Sequence, residues 1–437
     1  CYTLELRPGN KKKECAKCKV GSLYSYTKKD SSFIDPKLSE ELSPKTLSYC
    51  VSSSSYTLTR IEDPKHKIHK SVQAIQKRLE PAVKIAYANT KKWARDNELD
   101  FVFYFNGRMD VTRAIMMSLK ELTIPFSSLE RTFIGHGIQL NFNQHALSLK
   151  ELNKLTKKFE DKPLNKQQLL QVNHYIAKRF SKDTTLEWRT YNTNRVDRKW
   201  PAQGSGPRIL LMPSSKNEGM GNEDWDNTWD EFPIIFEKII GKLKGNFDNC
   251  VLRSHPNWGQ NVGNASGKLI YDYYKKWCEL RGIHFIEPND TTSSHFLMQE
   301  SDIVVLNGST AAFEACFVEK PVVSCSRTFY QEAGFADIVI SEEALRNWDV
   351  ESFLNRCPKE NLRKLYRFFY TFAFRYSLFQ REIFSESPHK FIYLDLDIER
   401  FEKMILAKEI IADDLDFHIN SEEENKIINL PLSHRFQ

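Results

Sequence analysis

The sequence predicts an α/β protein of two Rossmann-like domains facing a central cleft, followed by C-terminal helices. Three observations carry this. At 437 residues the chain exceeds what one ordinary core takes and suits two domains with additions. Short apolar runs alternate with stretches of helical periodicity, the pattern of parallel strands joined by crossover helices. A break at Trp200-Pro-Ala-Gln-Gly-Ser-Gly-Pro207 separates two such series. The expected units are residues 1–203, 204–345 and 346–437.

The first ~70 residues are rich in Lys, Ser and Pro and read as loop with short elements. From His69 to Asn97, Val72, Ile75, Leu79, Val83 and Ala86 recur at helical spacing. The run from Asp100 to Phe105 reads as a buried strand opening into a loop at Asn106-Gly107-Arg108. A helix over Val111–Leu122 follows, then short strands at Ile124–Phe126 and Thr132–Ile134 flanking Glu130 and Arg131. Residues 147–200 are charged and helical. In the second series, strands fall at 208–212, 249–253, 284–286, 302–307 and 321–324. Helices fall at 232–243, 269–281, 295–299 and 309–318. Beyond Trp348 the pattern is helical to about residue 411, before an acidic, polar tail.

Hydrophobic residues at 41% and charged residues at 27% describe a globular chain, not a disordered or membrane one. No uncharged apolar stretch of ~18 residues occurs, and no signal-peptide pattern opens the sequence. The net charge of +6 suits anionic partners such as nucleotide phosphates or an anionic membrane surface. Without a reading module it does not argue for nucleic acid. Nine scattered cysteines suggest reduced thiols and a cytoplasmic location. Cys15 and Cys18 form a C-x2-C pair that, with Cys1 and Cys50, could supply four thiolates to a structural zinc. The alternative is unligated thiols in a basic loop.

Three loops follow strand ends in the second series and so face one crevice. They are Pro213-Ser214-Ser215 running to Glu218, Arg253-Ser-His255-Pro256-Asn257, and Asn307-Gly308-Ser309-Thr310. Gly308 permits a tight turn, and Ser309 and Thr310 offer hydroxyls and N–H groups at a helix start, a composition that suits an anion. Each loop alone has a plainer reading: Ser309 and Thr310 as an ordinary N-cap, His255 as a structural residue before proline. Together they point to a phosphate site.

The runs Leu252-Arg-Ser-His255-Pro256, Ser301-Asp-Ile-Val-Val-Leu-Asn-Gly-Ser309-Thr310-Ala-Ala-Phe-Glu314-Ala and Glu319-Lys-Pro321-Val-Val resemble capsule and surface-polysaccharide glycosyltransferases. These include Kdo (3-deoxy-manno-octulosonate) transferases and have the two-domain GT-B fold. The resemblance covers most of the chain loosely and is specific over about 250–325. It implies transfer from a nucleotide-sugar, a CMP-sugar such as CMP-Kdo first and a UDP-sugar second, to a glycan or lipid-linked acceptor. It implies that Ser214, Ser215, Glu218, Arg253, His255, Pro256, Asn307, Gly308, Ser309 and Thr310 surround the donor nucleotide. Glu314 would hydrogen-bond its ribose. No metal is required for such a site, where fixed donors stabilise the leaving phosphate.

Acceptor-side residues are expected at Asn106, Arg108, Arg131 and His136. Glu130 is the first candidate for base or nucleophile, with His145 and Asp224 behind it. Glu130-Arg131 also reads as a local ion pair. The basic, aromatic stretch from Leu362 to Phe379 suits either the inner face of a membrane or a core helix crossing both domains. Rival functions are a sugar-nucleotide 2-epimerase, a polyol-phosphate transferase and a non-catalytic nucleotide-binding scaffold. The epimerases carry a Glu-Glu pair in the helix where this chain has Glu314 alone.

Overall fold

The computed structural model describes residues 35, 37–62, 69–135, 137–180, 195–226, 229, 231–262, 265–379, 383–387, 390–393, 397–412 and 421–435. His136, Cys1, Cys15 and Cys18 lie outside the described residues.

The second series forms an α/β sheet in which every pairing is parallel. Its strands are β4 (Ile209–Met212), β5 (Cys250–Arg253), β8 (His284–Ile286), β9 (Ile303–Leu306), β10 (Val322–Ser324) and β11 (Asp337–Ile338). A short hairpin, β6 (Asn261–Val262) with β7 (Ala265–Ser266), interrupts this order. The sheet order is β11-β10-β9-β4-β5-β8. Helices cover both faces, so its strands are apolar on both sides: Ile209, Leu210, Leu211, Val251, Leu252, Val304 and Val305 have no exposure. Burying such a side chain is worth roughly 1.5–3 kcal/mol. Winding runs outward from β4 through β5 to β8, then returns to β9 on the other side of β4. The strand order therefore reverses between β4 and β9, and a crevice opens beyond their carboxyl ends.

The first series is smaller. β1 (Val102–Phe105) pairs parallel with β2 (Phe126–Arg131), and β2 pairs antiparallel with β3 (Ile138–Phe142). The expected strand at Thr132–Ile134 is instead the turn between β2 and β3, where Gly135 adopts φ +79° and the Gly137 carbonyl accepts from the Thr132 amide. Helices over 70–96 and 110–121 match the periodicity that predicts them. A helix over Pro44–Thr59 lies in the stretch read as loop.

One of several hydrophobic clusters spans both halves. It joins Leu140 and Phe142 of β3, Leu210 and Val304 of the large sheet, helices 150–159 and 166–180, and the C-terminal helix Pro358–Tyr370. That last helix continues into a π-helical turn over 371–375, after which Leu378 pairs with Ile138 at the edge of β3. Phe368, Phe369, Phe372 and Tyr376 are at most 4% exposed. The aromatic stretch is thus a core helix tying the two halves together. Its aromatic face is covered by protein and offers nothing to a membrane. Among the described residues no helix is long and apolar enough to cross a membrane.

Candidate functional site

The crevice at the strand-order reversal holds a cavity of about 230 Å³. Ser214, Ser215, Glu218, His255, Gly308, Ser309 and Thr310 line it, so all three loops singled out in the sequence reach it.

Asn307, fully buried, latches the β4 and β9 loops together: its Oδ1 accepts from the Ser214 amide and its carbonyl accepts from Ser214 Oγ at 3.1 Å. It does not line the cavity. Gly308 then turns at φ +92°, and a Cβ there would stand 3.1 Å from Lys216 Nζ and 3.3 Å from the Arg327 carbonyl. Ser309 Oγ accepts from the Ala311 amide at 3.2 Å, as the plain cap reading expects. Thr310 Oγ1 accepts from Arg179 Nη2 at 3.3 Å.

Lys216, which the sequence argument passed over, is the cation of the site. It is 5% exposed, lines the cavity, and donates to the Arg327 carbonyl at 3.3 Å. Its ammonium stands 5.5 Å from the Trp225 ring centre. Burial pulls its pKa down to about 8, against the nearby negative charge of Glu62 and Asp226. A buried ammonium with one neutral acceptor is under-compensated, and a phosphate beside it would relieve that.

His255 caps the turn Pro256–Gly259, its Nδ1 accepting from the Asn257 amide at 3.2 Å. In a neutral ring this leaves the proton on Nε2. The turn is held by Arg60, whose guanidinium donates to the carbonyls of Asn257 and Gln260, both at 2.6 Å. Pro256 shapes the turn without lining the cavity. The opposite wall is aromatic. Phe133, from the β2–β3 turn, stacks on Phe329 with centroids 5.9 Å apart, and Trp225 is fixed by its indole donating to the Leu147 carbonyl at 2.7 Å.

Several expected site residues lie elsewhere. Arg253 turns away, donating to the carbonyls of Glu287 and, at 2.9 Å, Asp290; burial lowers its pKa to about 10. Glu314 is 5% exposed and absent from the lining. Burial pushes its pKa up, but the Arg179 guanidinium at 2.8 Å and His295 hold it down to about 2. Its Oε1 serves this pair, while its Oε2 is buried with no hydrogen-bond partner. Asp224 accepts from Ser148 Oγ at 3.0 Å and the Leu149 amide at 2.8 Å, at the start of helix 150–159. His145 is buried, takes a bond from the Leu147 amide at 3.2 Å, and is held neutral by burial, its pKa near 3. Glu130 accepts from Asn106 Nδ2 at 2.5 Å and from the Arg131 amide at 2.9 Å, a local latch with Arg131 exposed. Asn106 in turn holds the Arg108 amide at 2.9 Å.

Arg108 bridges the halves, its Nη1 donating to Ser53, Thr57 and the Glu218 carbonyl at 3.0–3.2 Å. None of the three expected bases lines the cavity; the carboxylate that does is Glu218.

Cys50 is fully buried in a cluster with Val51 and Leu79, and burial pushes its thiol up to about 12; the other three cysteines of the expected zinc set lie outside the described residues. Among the described residues no group of three or more His, Cys, Asp or Glu side chains could hold a metal.

No family model matches the chain, and no curated protein matches it. Solved structures similar to it include a β-Kdo 2,4 transferase, KpsC, of Thermosulfurimonas dismutans, at 14% identity and TM-score 0.38, covering 62% of this chain and 79% of that one. A UDP-GlcNAc 2-epimerase of Neisseria meningitidis matches at 14% identity and TM-score 0.26, covering 65% and 76%. The glycosyltransferase SnogD of Streptomyces nogalater matches at 11% and 0.24, covering 67% and 75%. These likenesses are distant, and the fold described here is read from strand order.

Proposed function

We propose that the chain is a nucleotide-sugar glycosyltransferase whose donor phosphate sits in the cavity beyond β4 and β9. One observation carries the reading: the buried Lys216 ammonium faces the same cavity as His255 and the Ser309 and Thr310 hydroxyls, at the strand-order reversal. A leaving phosphate gains negative charge as the sugar departs, and donors fixed in advance stabilise that charge. Lys216 supplies the charge, while His255 Nε2 and the hydroxyls supply directed hydrogen bonds. The aromatic wall of Phe133, Trp225 and Phe329 gives the sugar an apolar face and excludes water.

In this reading Glu218 takes the base role, since it alone of the carboxylates considered borders the cavity. The acceptor then enters from the Arg108 side, where the first domain meets the turn at 216–218. The motif resemblance favours a CMP-sugar donor and a glycan or lipid-linked acceptor in surface-polysaccharide assembly, at the cytoplasmic face of the membrane.

The test is product analysis after incubation with CMP-Kdo or UDP-GlcNAc, with and without an oligosaccharide acceptor pool. Acceptor-dependent release of nucleotide, lost in Lys216→Met, supports transfer. Isomerised UDP-sugar without any transfer would move the assignment to an epimerase.

A further inference from the structure

The segment that leaves helix 44–59 brings a second ionisable group against the same loop, and the proposed mechanism does not use it. Arg60 ends the helix in a left-handed conformation at φ 55°, Ile61 is 1% exposed, and Glu62 then enters the protein at 3% exposure. Its Oε1 lies 3.0 Å from Ser215 Oγ, and its Oε2 is buried with no hydrogen-bond partner. Ser215 Oγ also stands 3.0 Å from Asn217 Oδ1. A hydroxyl has one proton, so it cannot donate to both neighbours. A proton on Glu62 resolves the arrangement: the carboxyl donates to Ser215, and Ser215 donates to Asn217.

An ionised carboxylate so deeply buried and half-satisfied is expensive, whereas the neutral acid is not. Burial accordingly pushes Glu62 up to about 7, against the pull of Ser215, the Lys216 amide, Arg60 and Lys216.

We propose that Glu62 is a positioning residue of the anion site, and that a phosphate entering beside Lys216 is bound together with a proton taken up by Glu62. The proposal rests on the cavity being an anion site. Near neutral pH the empty protein holds Glu62 in both forms, and the ionised fraction partly balances the Lys216 ammonium. An arriving phosphate replaces it as counter-ion, and the displaced negative charge is quenched by a proton from solvent. Ser215, which lines the cavity, is left oriented by a neutral acid and not by a charge that would repel the ligand.

Other charges around this pair are already engaged or more remote. Arg60 holds the Asn257 and Gln260 carbonyls, Arg108 holds Ser53, Thr57 and the Glu218 carbonyl, and Asp110 accepts from Ser54. Asp226 and Cys325 act on Lys216, and the adjoining β7 residues, Ala265 and Ser266, do not titrate.

A bound anion raises the pKa of both Glu62 and Lys216, so affinity falls as pH rises through about 7 to 8. The experiment is calorimetric titration of the full chain with UDP and with CMP near pH 7, in buffers of different ionisation enthalpy, for wild type and Glu62→Gln. Wild type is expected to take up more protons than the variant, by as much as roughly half a proton at the Glu62 midpoint. Equal counts with intact binding overturn the inference alone, because Lys216 and the nucleotide are common to both proteins. Absence of binding by wild type overturns the donor-site reading and the linkage with it. Should Glu62→Gln not fold, infrared spectra of wild type decide: a buried carboxylic-acid band that titrates near neutrality and shifts on adding UDP supports the proposal. Its absence overturns it.

Discussion

Lys216 and Gly308 lie against one another in the site, and substitutions at either separate chemistry from fold. Lys216→Met keeps the stem's packing and removes the charge. A hydrogen bond to a charged group is worth about 1.5–3 kcal/mol, so nucleotide affinity should fall roughly ten- to hundredfold, with melting temperature kept or raised. Equilibrium binding and a thermal melt of the same preparation check this. Gly308→Ala places a methyl against Lys216 Nζ and the Arg327 carbonyl at a backbone angle that disfavours alanine. It should destabilise the protein by about 1 kcal/mol and weaken nucleotide binding, both read from denaturant titrations with and without ligand.

These residues also show what was legible. His255, Ser309 and Thr310 stood out because their loops follow strand ends that face one crevice, although Ser309 and His255 also make the capping bonds of the plainer reading. Lys216 did not, since lysine in a loop normally points to solvent, and only the packing of Trp225 and the Arg327 carbonyl buries it. Glu62 comes from a segment with no strand-end signal at all. Glu314 carries a contact that its helix position does not reveal: Arg179, 135 residues away in sequence, pairs with its Oε1.

At the scale of elements, the large sheet was readable because its strands are apolar on both faces and separated by helical periodicity. Helix 44–59 was not. Its Ser53-Ser54-Ser55 run carries no apolar stripe, yet all three are buried, Ser53 against Arg108 and Ser54 against Asp110. Ser55 and Thr57 bond back to carbonyls of the preceding turn, which hides the helix from periodicity while satisfying the hydroxyls. The visible cue was Ser43-Pro44, a cap and a first-turn proline, with Ser43 accepting from the Thr46 amide at 3.2 Å. Ser43→Ala should cost about 1 kcal/mol in chemical denaturation. Because this helix leads into Arg60 and Glu62, its loosening should also weaken nucleotide binding. Strand β3 went unexpected because the short apolar run at Thr132–Ile134, which is the β2–β3 turn, reads as the strand instead.

Across the whole molecule, the two halves share one aromatic core, so unfolding should be a single transition in which both sheets melt together. Phe372→Ala, removing a ring packed against Phe329, Phe368 and Phe313, should cost about 3–5 kcal/mol, measured by loss of stability to urea. The same core sets the acid response. Glu314 is held near 2, below its unfolded value, so it stabilises above the unfolded pKa and loses that contribution as pH falls toward 2. His145, held near 3, penalises the fold in the same direction, since below about 6.5 the unfolded chain binds a proton that the folded one refuses. Glu62, held near 7 by burial, works the other way between about pH 7 and 4.5 and offsets His145 there. Stability should therefore fall mainly below about pH 4.5, and Arg179→Ala should shift the acid midpoint upward in a circular-dichroism titration.

The central claim is a phosphate site built around Lys216 beyond β4 and β9. It is tested most directly by thermal denaturation of wild type and Lys216→Met with CMP, CDP, UDP and GDP. A ligand at about 100 times its dissociation constant stabilises a protein by about 2.7 kcal/mol, well within reach of such a melt. The account predicts that at least one nucleotide raises the wild-type midpoint and raises that of the variant by about half as much or less. Equal shifts in both proteins, or none in the wild type, would contradict it.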